Sequence, residues 1–383
     1  MTDNLKKIFV GIIIISGTFC SGFAYEQFDF KNENSKFYVA QLAFLMLSTG
    51  CMGSYLIYKY NKWISILGAV CSFGVFKTFL LGNAPKVNMF ESAIIGLCAF
   101  IVYYFIRKNN FKKDFLKWFL IPAIANIVVV LIQAFDHYPL FFLRVDGISG
   151  LIGNEGMSAV YLALTLPLFF KYFKWGIIPC FLAIIMSNGS IGLIAGAFGG
   201  LVYSYHRHKG VFYLVFTLLI VFSLIFSNTG KFNSVKGEAK LRAAMIVGTM
   251  DGIMHNPVLG WGVGSFIPVF SQIPPEHSEF LGVRLNTENA IMNHPHNELL
   301  SGWWKVGVAF PVLILIAFRD FGQKYKEELL ATYCIVLIAA IISMGWFFTV
   351  PALFLLITAF AVHENEFTNL INGGCDVKKN GKS

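Results

Sequence analysis

Apolar runs long enough to cross a bilayer recur along almost the whole chain, and they constrain the fold more than any other feature. A run of roughly 17–20 apolar residues spans the hydrocarbon layer as a helix. Such runs fall near 8–25, 37–58, 63–81, 89–106, 115–135, 156–170, 175–187, 190–205, 211–227, 299–318, 329–345 and 347–362. The pairs 175–187/190–205 and 329–345/347–362 read as tight hairpins. Composition agrees, because 56% of the 383 residues are hydrophobic, 13% are charged and the mean hydropathy is +0.65. A soluble domain carries roughly 25% charge and has nowhere to put this much Ile, Leu and Phe. Lipid can solvate outward apolar faces, so the expected class is an all-α integral membrane protein of about twelve transmembrane helices.

The net charge of +9 does not point to nucleic acid, because the basic residues lie in short clusters between apolar runs. With the N-terminus inside, Lys59, Lys62, Arg107, Lys108, Lys112, Lys113, Lys117, Lys171, Lys174, Arg207, Lys209 and Arg319 fall in inner segments. Lys31, Lys36, Lys86, Arg144, Lys231, Lys236, Lys240, Arg242 and Arg284 fall outside. Over the whole chain the bias is roughly two to one, the positive-inside pattern for an even number of spans with both ends in the cytoplasm. Six of the seven Cys lie in apolar runs and Cys375 in the polar tail, so no disulfide framework is implied. The run after Lys6-Lys7 has no small-residue cleavage site and reads as an uncleaved first span.

This topology divides the chain into a membrane bundle at 1–227, one long outer loop at 228–297, further spans at 298–363 and a cytoplasmic tail at 364–383. A loop of that length is either functional or disordered. Residues 238–255 (EAKLRAAMIVGTMDGIMH) read as a helix with Leu241, Met245, Gly248 and Gly252 on one stripe, widened by Ile246, Met250, Ile253 and Met254. Pro257 stops it, and LGWGVGSF follows as a glycine-rich turn. The plain reading is a surface helix on lipid headgroups with Arg242 at phosphate. The loop closes with NHPHNELLSGWW, where Pro295 holds the chain extended and brings His296 to a helix start. A His there titrates near neutral pH. His294, His296 and Glu298 form a poor zinc set by spacing, so no metal or cofactor is expected.

The order Arg, helix, HNPVLGWGVGSF, variable stretch, HPHNELL and a span containing Gly307 resembles the O-antigen ligase and O-antigen polymerase superfamily. GISGLIGNEGMSAVYLALTLPLF resembles the family's Gly-Asn start of the following helix. The likeness covers 147–170 and 238–310 in sequence and most of the chain in architecture. It implies a GT-C-like bundle with one large periplasmic loop, in the bacterial inner membrane. It implies metal-independent, inverting transfer of a glycan from a polyprenyl diphosphate donor to an acceptor hydroxyl. His296 would then be catalytic, with His294 supporting it and Arg242 on the diphosphate; Asn297 and Glu298 lie beside His296. Many relatives carry a further Arg after Ser or Thr in a mid-chain span, where this chain has IIMSNGSIGLIAG with Ser187, Asn188 and Ser190. Arg144, Arg284 and Lys305 are the candidates for that second cation. Lys305 would sit about 10 Å into its span by helical rise, facing a polar cavity or snorkelling to the surface.

Three acceptors fit the resemblance: a lipid A–core sugar for a ligase, a second lipid-linked repeat for a polymerase, or a protein Ser. The compact site loop favours the ligase, and the short tail disfavours the third. A glycolipid flippase or transporter is the rival of another class, disfavoured because no repeat relates the two halves.

Overall fold

The computed structural model describes residues 53–66, 68–70, 100–135, 148–152, 155–187, 190–207, 230–262, 265–270, 279–280, 283–284, 297–313, 316, 355–366 and 368. These residues are helical apart from one antiparallel pair, Glu279–Phe280 (β1) with Val283–Arg284 (β2). The expected spans 8–25, 211–227 and 329–345 lie outside the described residues.

Among the described residues one stretch is long and apolar enough to cross a membrane, Lys113–Gln133, with 21 residues and a mean hydropathy of 2.3. It opens as a 3-10 turn, Lys113–Phe119, and continues as helix α1, Leu120–Gln133. Helices α2 (Glu155–Tyr172), α3 (Ile177–Met186) and α4 (Ser190–Arg207) follow. The sequence hairpin 175–187/190–205 is realised as α3 and α4, and both pack on α2. The α2–α4 contact is close because small residues face each other. A Cβ on Gly192 would collide with the Ala159 backbone, and one on Gly196 would stand 3.3 Å from the Ala163 Cβ. Small-xxx-small pairs of this kind let apolar helices approach where no hydrophobic force separates them from lipid.

Polar ties gather at one end of this bundle. Asn61 accepts from the amides of Trp63 and Ile64 at 3.0 and 3.1 Å, which starts a new helix after the turn at Tyr60. Arg107 stands 3.4 Å from Glu364 and donates to Asn365 at 2.8 Å. Asn61 donates to Glu364 at 2.6 Å, and Tyr103 donates to its other oxygen. Asn365 donates to the carbonyls of Ile106 and Phe111, both at 3.0 Å, and Lys113 pairs with Glu366 at 2.5 Å. Segments far apart in sequence, 60–62, 103–113 and 363–366, are thereby joined. His363 is buried here, and burial, then Lys113 and Lys171, pull its imidazole down to about 3. Its unfolded counterpart takes a proton below roughly 6.5, so this group removes stability as pH falls from there toward 3.

The Arg107–Glu364 pair is largely out of water, so leaving either charge alone is costly. Arg107→Ala should destabilise the chain by about 3–5 kcal/mol. Thermal unfolding in detergent checks this, and the double substitution Arg107→Leu/Glu364→Leu should lose less than the single one.

The segment 148–152 is fixed by side chains of α1 and by the first residue of α2. Asn126 accepts from the Leu151 amide at 2.7 Å and donates to Ser158 at 2.9 Å. Gln133 accepts from the Gly150 amide at 2.8 Å, and Glu155 from the Ile148 amide at 3.2 Å. Buried amides need such partners, and here they bind part of the GISGLIGNEG segment to the bundle.

Candidate active site

The segment expected to form the outer loop is built on helix α5, Gly230–His255. It ends before Pro257 as the sequence implies, but it begins eight residues before the expected start at Glu238, because the polar stretch GKFNSVKG also winds as helix. The buried stripe consists of Ala244, Met245, Gly248, Thr249, Gly252 and Ile253. Met245, Gly248, Gly252 and Ile253 are buried as expected, whereas Leu241 and Met254, expected with them, are 38% and 65% exposed.

Two elements complete the core. Helix α6 (Phe266–Phe270) brings Phe266 and Phe270, and helix α7 (Glu298–Val306) brings Trp304, which is 1% exposed. The turn between α5 and α6 is closed by Asn256, which accepts from the Gly260 amide through its carbonyl at 3.0 Å and donates to the Gly260 carbonyl through its side chain at 2.7 Å. The Trp261 amide donates to the Trp304 carbonyl at 2.6 Å, and the Val308 amide to the Pro257 carbonyl at 3.0 Å. The three indoles add Trp261 to Gly252 O at 2.8 Å, Trp303 to Pro257 O at 2.8 Å and Trp304 to Ser265 Oγ at 3.1 Å. The segment HNPVLGWGVGSF and the segment SGWWKVG are therefore bonded directly to each other. The sequence carries a signal for this in the GWG and GWW motifs, because a buried indole N–H must find an acceptor.

Gly260 has φ +65°, and a Cβ there would stand 2.5 Å from the Trp304 carbonyl and 2.6 Å from the Gly307 nitrogen. Both the left-handed backbone and the contact exclude a side chain. Gly260→Ala should cost more than the roughly 1 kcal/mol of a strained backbone alone. A fall in the thermal midpoint with retained membrane insertion is the expected measurement, and an unchanged midpoint would contradict the packing.

The residues singled out from the sequence separate into three groups. Arg242 is half-buried in the middle of α5 rather than at its start. Arg284 ends β2, whose ladder packs against α5, and the register sets Glu279 opposite it. Asn297, 7% exposed, caps α7, its side-chain oxygen accepting from the Leu300 amide at 3.0 Å. That oxygen serves the helix. Glu298 is the first residue of α7, where the helix dipole favours an acid.

Lys305 lies just before an interruption of its expected span. The expected span 299–318 is broken, because α7 ends at Val306 and Gly307 follows with φ +81°. A Cβ on Gly307 would collide with the Val258 carbonyl, so only glycine fits at the break with the α5–α6 turn against it. Lys305 thus sits half-buried in the last turn of a nine-residue helix, where the carbonyl end favours a cation. His294, His296 and Arg144 lie outside the described residues. The arrangement offers a half-buried guanidinium, suited to bidentate phosphate contact, on a helix packed against one whose positive end follows the loop histidines in sequence. Comparison of the chain with known protein families, curated proteins and solved structures finds no match.

Proposed function

We propose that the chain is a polytopic membrane glycosyltransferase of the O-antigen ligase type, with about twelve spans and its catalytic loop in the periplasm. It moves a glycan from a polyprenyl diphosphate carrier to a hydroxyl of a lipid A–core acceptor. The supporting observation is the direct bonding of the turn after α5 to α7, which joins the Arg242 helix to the helix that begins after His296. In the proposed reaction Arg242 stabilises the departing diphosphate, and His296 takes the proton from the acceptor hydroxyl. The sugar–phosphate bond breaks as the acceptor oxygen bonds to the anomeric carbon.

The proposed topology has its own support in the joining of 60–62, 103–113 and 363–366, all inner by charge. In a cysteine-free background, a Cys at Ser271 should react with an impermeant reagent in intact cells, and one at Lys108 should not. Labelling at Lys108 alone would invert the proposal. The activity is tested by incubating purified protein with a polyprenyl-diphosphate-linked glycan and a panel of acceptors. Mass gain on lipid A–core supports the ligase; mass gain only on a second lipid-linked repeat would make the chain a polymerase.

A further inference from the structure

The turn after α5 differs from an ordinary surface loop. Loop tips in water expose polar side chains and leave their backbone to solvent. Here the outward side chains are Met254, Val258 and Leu259, at 65%, 65% and 57% exposure. Val308, whose amide is bound to Pro257, adds 38%, and Val312 one turn later adds 46%. Most backbone amides around the turn are bonded inward. The amides of Asn256, Gly260, Trp261, Gly307 and Val308 all donate within the protein, as do the indoles of Trp261 and Trp303. Hydrocarbon demands this combination, since irregular backbone survives there only with its polar groups paired internally. Aliphatic exposure of the same kind lines the outward face of the stretch Lys113–Gln133, at Ile121, Ile124, Val128 and Ile132. His255, also exposed, lies about 100° round α5 from Met254 and marks a polar border, its ring held on the Asp251 carbonyl at 2.9 Å.

We propose that the side chains of Met254, Val258 and Leu259 on the turn after α5, with Val308 and Val312, are immersed in the acyl layer of the bilayer and set the depth at which the loop sits. The inference rests on the membrane reading above and goes beyond it, because it places part of the outer loop in lipid rather than in the aqueous phase or among headgroups. It gives the break at Gly307 a purpose, since the break makes room for the turn beside the end of α7.

The test uses the full-length, cysteine-free chain in phosphatidylethanolamine/phosphatidylglycerol vesicles. Single Cys at Val258, Leu259 or Met254 carries a bimane label, and quenching is read with bromine on the lipid acyl chains and with aqueous iodide. Val128→Cys serves as the lipid-facing reference and Lys240→Cys as the aqueous one. The expected result is bromolipid quenching at 258 and 259 as strong as at 128, with iodide far less effective than at 240. Iodide quenching at 258 and 259 equal to that at 240, while 128 remains lipid-quenched, overturns the inference and leaves the membrane reading standing. Protection from both quenchers with cross-linking between copies at 258 overturns it in favour of a protein interface. Absence of lipid quenching at 128 removes the membrane reading, and the inference falls with it.

Discussion

His296→Ala should lose about a hundred- to ten-thousand-fold in turnover, the usual contribution of a general base, while donor binding persists. His296 immediately precedes Asn297, the cap of α7, and a helix N-terminus disfavours a positive charge. With His296 as the base, the pH–rate profile should carry an acidic limb that His296→Ala removes. Below that limb the base is protonated and activity is lost. His294→Ala should lose less, because Pro295 separates the rings and only one of them is adjacent to the cap. Near-normal turnover of His296→Ala with the acidic limb intact would pass the role to another group, His294 first.

Arg242→Ala should lose about a hundred- to a thousand-fold in turnover, the range for removing one fixed donor at a developing negative charge. Arg242 is half-buried on α5, so its removal also affects packing. The conservative variant separates the two effects. Arg242→Lys keeps charge and most of the apolar stem but loses the planar fork, and should remain folded with much reduced turnover. A fully active Lys variant would show that charge alone suffices, and an active Ala variant would remove Arg242 from the site.

The helical class was legible because apolar runs of this length have few other solutions. Local punctuation was legible too: Pro257 ends a helix, and Gly260 and Gly262 take the left-handed backbone that a glycine-rich turn permits. The start of α5 was hidden because GKFNSVKG has no apolar period to announce a helix. The break at Gly307 was hidden for another reason. One Gly inside an apolar run is tolerated in a helix, and the close approach of the Val258 carbonyl, which keeps position 307 a glycine, is not visible in one dimension. Asn297 fits both a cap and a site residue in one dimension, and the bond to Leu300 settles how its oxygen is used. Arg107, Glu364 and Asn365 each read as charged or polar residues at span ends, and nothing local says that residues so distant in sequence pair.

The central claim is catalysis by the protein itself, without a driving gradient. The most direct measurement is release of polyprenyl diphosphate from a lipid-linked glycan by purified protein in detergent, in the presence of acceptor and with no sealed membrane. The account predicts multiple turnovers, one released diphosphate for each acceptor glycosylated, and loss of both in His296→Ala. Donor bound but never cleaved in detergent, with movement of the glycolipid across the bilayer once the protein is reconstituted in vesicles, would contradict it and identify a transporter.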